Sequence, residues 1–427
     1  MKNKTAFIIK GNIIFSKTQT QLSLHPNSYL ICENGKVIGL FDELPKQYEG
    51  LPLEDYGNKI IIPGLIDLHI HAPQFSFRGL GMDLELLDWL NTHTFPQEAR
   101  YKNLDYAEKA YTQFMDAFVA GGTTRACIFA TIHQPATMLL MEKLEKSGLI
   151  TMVGKVNMDR NSIDDLCEES ADASLQLTRD WIRECESRFE RTKPILTPRF
   201  IPSCTDKLMQ GIHKIQNETG LNVQTHLSEN ISEGEWVKGL CPDSNGYADA
   251  YDRFGLLGTE KMPSLMAHCV YSDADERKLL RDRGAYTVHC PVSNTNLSSG
   301  IAPIRRFLEE GNEVGLGTDV SGGFSISMLR VMSETIMASK LYWRLVDNND
   351  PPLTMPESFY LATAGGGKYF GKVGRFDEGY EFDAVILDDE DIPCPYELNL
   401  KERLERLIYL GNDSNVVSKY VAGKRIK

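Results

Sequence analysis

The sequence predicts an α/β protein: a (β/α)₈ barrel of TIM type that carries a small β-sandwich module built from both chain termini. Three observations predict it. Short apolar runs alternate regularly with amphipathic stretches, polar residues able to do chemistry gather at the ends of those runs, and both ends of the chain read as β without enough apolar residues to fold alone. Residues 1–62 are assigned to the first part of the small module, 63–368 to the barrel and 369–427 to the second part.

The amino-terminal strands are Phe7-Ile8-Ile9-Lys10 and Tyr29-Leu30-Ile31-Cys32, the second followed by an Asn34-Gly35 hairpin turn into Lys36-Val37-Ile38-Gly39-Leu40. The run Ile60-Ile61-Ile62-Pro63-Gly64-Leu65-Ile66 leads into Asp67-Leu68-His69-Ile70-His71, the first barrel strand. Further runs follow at Thr123–Phe129, Ile150–Val156, Ile195–Phe200, Leu221–His226, Leu265–Cys269, Ala285–His289 and Val314–Thr318, which makes eight strands. Helix-period stretches lie between them. In the clearest, Ala107, Ala110, Tyr111, Phe114 and Phe118 share one face, Asn103 is the N-cap and Gly121-Gly122 closes the helix. Met328–Val346 and Pro356–Ala362 also read as helices, and β character returns at Phe382–Leu387 and Val416–Val421. The main rival is a doubly wound open sheet, which needs a Gly-rich phosphate turn after its first strand. His71-Ala72-Pro73-Gln74 is not one.

A chain of 427 residues exceeds one ordinary domain, and a barrel of about 250 to 350 residues with an appendage accounts for it. The net charge of −13 opposes binding of nucleic acid or anionic lipid and suits a small neutral substrate. Nine cysteines without a CxxC pair point to reduced thiols and a cytoplasmic setting. Lys2 and Lys4 open the chain, but Lys10 interrupts the apolar stretch after them before a signal-peptide core is complete, and no run approaches the 18 or so apolar residues of a membrane span.

The ends of the runs hold the chemistry. Strand alternation puts Asp67, His69 and His71 on one face and Ile66, Leu68 and Ile70 on the other, so two imidazoles sit side by side with Asp67 one step deeper as a supporting partner. The fifth strand adds His226 and, just beyond it, Glu229; the sixth adds His268; the eighth leads into Asp319. Three histidines and an aspartate at one barrel mouth offer a borderline metal its nitrogen ligands and one hard oxygen, with a position left for water. Zinc fits best, and iron is the other candidate. The bland alternatives are an exposed edge strand for His69 and His71, satisfied core histidines, a turn-forming Asp319 and a helix-starting Glu229.

Pro63-Gly64-Leu65-Ile66-Asp67-Leu68-His69-Ile70-His71 resembles the opening signature of the amidohydrolase superfamily. His71-Ala72-Pro73-Gln74-Phe75-Ser76-Phe77, Thr94-Phe95-Pro96, Thr197-Pro198-Arg199-Phe200, Thr225-His226-Leu227-Ser228-Glu229-Asn230 and Gly317-Thr318-Asp319-Val320-Ser321-Gly322-Gly323 resemble its guanine-deaminating branch. Arg78 and Leu80 depart from that pattern and leave the ligand set intact. The resemblance implies a zinc hydrolase that turns guanine into xanthine and ammonia, commonly as a homodimer. It makes His69, His71, His226 and Asp319 the metal ligands. It makes Glu229 and His268 the catalytic pair, with Asp319 sharing proton transfer. Gln74, Arg199 and Phe200 become the base-binding residues, beside His226 and Glu229. Binuclear members of the superfamily bridge two metals with a carbamylated lysine near a strand end. Lys155 is the only nearby candidate and the fourth run has none, so one metal per chain is expected. His93 and His289 are read as structural, while His25, His133 and His213 fall outside the constellation. Two alternatives stay open: a deaminase or dechlorinase for another heterocycle, and a catalytically dead relative serving as a scaffold.

Overall fold

The computed structural model describes residues 6–427; Lys2 and Lys4 lie outside the described residues. The chain begins with β1 (Ala6–Ser16), β2 (Leu22–Glu33), β3 (Lys36–Phe41) and β4 (Leu53–Pro63). Asn34 (φ 53°) and Gly35 (φ 80°) turn the β2–β3 hairpin in the left-handed conformation that this dipeptide favours.

Barrel strands follow: β5 (Leu65–His71), β6 (Thr123–Phe129), β7 (Ile150–Gly154), β8 (Val156–Asn157), β9 (Thr192–Pro194), β10 (Thr197–Pro198) and β11 (Gln224–Leu227). A small hairpin, β12 (Gly258–Thr259) with β13 (Met262–Pro263), precedes β14 (Leu265–His268), β15 (Tyr286–His289) and β16 (Glu313–Leu316). The eight predicted runs are all present, but the third and fourth are each interrupted. The third divides into β7 and β8, and only Thr197–Pro198 of Ile195–Phe200 is strand.

Every pairing around the barrel is parallel. β5-β6-β7-β9 and β11-β14-β15-β16 form two four-stranded sheets, with β8 paired to β10. Leu196 and Val223 bridge one joint. At the other, the Asp319 N–H donates to His69 O (2.8 Å) and the His71 N–H to Val320 O (3.1 Å). The backbones are close here. A Cβ on Gly317 would lie 2.8 Å from His69 Cβ, so glycine is what lets the last strand reach the first. Amphipathic helices surround the strands, and Leu104–Ala120 buries the predicted face under an Asn103 cap that accepts from the Asp105 and Tyr106 N–H groups.

The carboxyl end returns as β17 (Ala384–Leu387), β18 (Val416–Val421) and β19 (Lys424–Arg425). These join the first four strands in one seven-stranded sheet of order β19-β18-β17-β4-β1-β2-β3, so β17 lies antiparallel against β4. The sheet curls until Phe7 on β1 stacks 5.4 Å from Tyr420 on β18 and edge-on, 5.2 Å, to Phe382. Alternation along β4 divides its isoleucines: Ile61 packs with Ile9, Ile13 and Ile386 inside the module, while Ile60 and Ile62 face the barrel core. The helix Leu400–Leu410, which the sequence reading omitted, is capped by a reciprocal Asn399–Glu402 box.

Polar ties lock module to barrel. Arg125 on β6 donates from Nε to Asp383 Oδ2 (2.6 Å) and from Nη2 to Asp383 Oδ1 (3.2 Å) and Glu381 Oε2 (2.7 Å), while Asp383 Oδ1 also takes the Ala422 N–H (2.7 Å). Lys419 Nζ reaches Gly121 O (2.8 Å) and Thr123 O (3.0 Å) just beyond the Leu104–Ala120 helix. Breaking a buried ion pair by removing one partner leaves an uncompensated charge. Asp383→Ala is therefore expected to cost about 3–5 kcal/mol. The paired change Arg125→Met with Asp383→Leu should cost much less, and urea unfolding of the three proteins checks the difference.

Candidate active site

The site lies at the carboxyl ends of the strands. His69 and His71 come from β5, His226 from β11, His268 from β14, and Asp319 from the turn after β16. All are buried. Several backbones at these ends are left-handed without being glycine: Asp319 at φ 43°, His268 at 77° and Ser228 at 48°. Each such residue costs about 1–3 kcal/mol and persists where the surroundings hold it, a pattern concentrated at working sites.

Four side chains converge on one point. His71 Nε2 lies 3.2 Å from both His69 Nε2 and His226 Nε2, and Asp319 Oδ1 lies 3.1 Å from His69 Nε2 and 3.3 Å from His71 Nε2. Zinc–nitrogen bonds of about 2.0–2.1 Å place tetrahedral ligands about 3.3 Å apart, so these spacings fit one ion. His226 Nδ1–H donates to Arg199 O (2.7 Å), which leaves Nε2 as the lone pair facing the centre. Burial, reinforced by the neighbouring imidazoles, holds His226 well below its usual pKa, and burial brings His71 down to about 4. Lowering of this kind favours the neutral imidazole, the form able to hold a metal. Burial on its own raises the Asp319 carboxyl, but His69 and His71 outweigh it and keep Asp319 well below the usual carboxylate range.

His268 belongs to the same group. With His69, His226 and Asp319 it offers donor atoms that all lie within 4.8 Å of one another. Its Nδ1–H donates to Asn294 Oδ1 (2.9 Å), and its Nε2 faces Glu229 Oε2 (3.4 Å) and Asp319 Oδ2 (3.9 Å). Glu229 is buried beside it. Desolvation, then the charges of Asp319 and Glu233, push the Glu229 carboxyl well above its ordinary pKa. Glu233, not Glu229, is the helix-starting acid: its carboxylate takes the Glu229 (3.0 Å) and Asn230 (3.3 Å) N–H groups in a capping box.

Asp67 departs from expectation. It touches no imidazole ring; its carboxylate accepts from Thr318 Oγ1 (2.6 Å), Thr318 N–H (3.1 Å) and His69 N–H (3.2 Å). The register of β5 against β6 shifts between Asp67 and Ile70, so strict alternation fails there. Lys155 Nζ is committed to buried Glu168 (2.5 Å) and to Val156 O (3.2 Å) rather than to the histidine and aspartate donors. His289 is buried outside the donor group, and His93 bonds Thr92 (2.9 Å) at the surface.

Above the donors lies a pocket lined by Gln74, Arg199, Phe200 and Glu229 together with Leu86, Trp89, Leu90 and Leu297. Gln74 Oε1 accepts the Ser321 N–H (2.9 Å). Sequence reasoning missed the apolar wall, because Leu86–Ala99 is a broken helix with a π-type turn at Leu90–Thr94 and carries no clear period. It also missed Glu98, buried against both Gln74 and Arg199.

The profile of the amidohydrolase family matches residues 60–426. The chain belongs to that family. It is 38% identical to guanine deaminase of Dictyostelium discoideum, covering 100% of this chain and 99% of the relative, and 37% identical to guanine deaminase of Homo sapiens, covering 99% and 96%. Among solved structures it is similar to guanine deaminase of C. acetobutylicum with guanine bound in its active site: TM-score 0.96, 45% identity, 99% and 100% of the two chains covered. The expected fold class holds with it, and family membership agrees with the clustered histidines and aspartate.

The donor atoms gather around one point. Extensively dialysed protein is expected to retain about one divalent ion per chain by elemental analysis, and His69→Ala or Asp319→Ala should lose it. Two tightly held ions per chain would overturn the single-site reading.

Proposed function

We propose that the chain is a guanine deaminase that hydrolyses guanine to xanthine and ammonia. The observation that carries this reading is that buried Arg199, Phe200 and Gln74 line one pocket with His71, His226 and Asp319. Similarity to a guanine-bound deaminase over 99% of the chain supports it. In this reading His69, His71, His226 and Asp319 hold one zinc ion, with iron as the other candidate. That ion supplies a water acidic enough to ionise near neutral pH.

The remaining steps belong to the chain's own groups. Arg199 has five N–H donors and spends two on Glu98, leaving others for a carbonyl at the edge of the base. Phe200 covers a ring face, and Gln74 can both donate and accept along another edge. Glu229, as the carboxylate, takes a proton from water and delivers it to the ring nitrogen beside the carbon under attack. It then helps the amine leave as ammonia. Asp319 shares the proton traffic. His268, with Nδ1–H committed to Asn294, presents Nε2 to accept a hydrogen bond from the attacking water.

The same reading includes a homodimer, a cytoplasmic setting, and no nucleic-acid or membrane partner. The nine cysteines are unpaired, the net charge is −13, and no helix among the described residues is long and apolar enough to cross a membrane.

Glu229→Gln keeps the shape of the side chain and removes the proton carrier. Turnover of guanine should fall by roughly 10²–10⁴ with metal content unchanged, measured by ammonia release and elemental analysis. Guanine should exceed adenine in kcat/KM by roughly 10⁴, because an amino donor replaces the carbonyl that Arg199 binds. A preference for adenine or cytosine would sink the base-recognition argument.

A further inference from the structure

Glu98 has no place in the proposed reaction, yet its carboxylate touches both polar base-binding residues. Arg199 grips it with two parallel bonds, Nη1 to Oε2 (2.6 Å) and Nη2 to Oε1 (3.2 Å), and Gln74 Nε2 donates to Oε1 (2.8 Å). All three side chains are buried. Glu98 sits on the short helix Phe95–Ala99, part of the segment whose Leu86, Trp89 and Leu90 wall the pocket, whereas Arg199 follows β10 and Gln74 follows β5. One carboxylate therefore ties the covering segment to two strand ends.

We infer that Glu98 is a positioning residue that sets the hydrogen-bond pattern offered to the base, by fixing the plane of Arg199 and the orientation of the Gln74 amide. This rests on the guanine reading. A carboxylate is acceptor-only, so it can take all three N–H groups at once, and the bidentate fork defines the guanidinium plane. The Gln74 amide is held from both ends. Its Nε2 donates to Glu98 while its Oε1 receives the Ser321 N–H (2.9 Å); a flipped amide would set oxygen against carboxylate and amine against amide N–H. What faces the pocket is then one set of donors and acceptors, chosen by Glu98. The charge of Arg199 is also balanced inside the protein, so a neutral heterocycle can enter without supplying a counter-charge.

The test compares guanine with 2-aminopurine, which keeps the reacting carbon and amine but lacks the ring carbonyl. Glu98→Gln offers one acceptor where the carboxylate offered two and turns an amide donor toward Arg199. Misplacing a recognition group by about 1 Å can cost 10²-fold, so kcat/KM for guanine should fall by roughly that factor. For 2-aminopurine it should fall far less, and the ratio between the two substrates should collapse. Because both are measured on one preparation, the ratio is independent of how much enzyme is folded. Should Glu98→Gln not yield soluble protein, Glu98→Asp, too short to reach both partners, carries the same comparison. An unchanged ratio in the variant would overturn the inference and leave a structural ion pair. Failure of the unaltered chain to deaminate guanine would instead overturn the reading on which it rests.

Discussion

Where β16 meets β5 the two backbones exchange bonds between Asp319 and His69 and between His71 and Val320, and the composition of the site depends on that seam. The seam brings the aspartate of the last turn within 3.1 Å of one imidazole on the first strand and 3.3 Å of the other. Gly317 admits the approach, and Asp67 fastens it by accepting from Thr318 on one side and from the His69 backbone on the other. Asp67 thus acts on the donors through the chain path, not through their rings. Burial raises its carboxyl to about 7, against the pull of the Thr318 bonds.

The barrel was legible because parallel strands buried on both faces leave continuous apolar runs, and the residue types at their ends do not depend on where each strand stops. His69, His71, His226, Glu229, His268 and Asp319 were visible for the same reason, and the structure brings them together. The small module was legible as two incomplete halves, since neither Phe7–Leu40 nor Phe382–Val421 holds enough apolar surface to close a core.

What escaped the reading has physical causes. Glu98 is an acid in a short helical turn, the commonest sign of a solvated surface, and only the position of Arg199, far along the chain, reveals that it is buried. The wall of Leu86, Trp89 and Leu90 lies in a segment that changes helical type within a few residues, so no single period describes it. Asp67 was misplaced by assuming ideal alternation through a bulged strand. The helix Leu400–Leu410 did carry a signal, the Asn399–Glu402 box, beside an acidic stretch that drew attention as loop.

The position of β17 has a consequence for how the protein is made. β4 is paired on one side by β1 but on the other only by a strand contributed after the whole barrel has been synthesised. At ribosomal speeds of about 5–20 residues per second, the 320 or so residues between them keep that edge open for tens of seconds. During that interval the β17-facing side of Ile60, Ile61 and Ile62 is an open edge, the kind of surface that invites aggregation and that chaperones cover, and one the finished protein no longer displays.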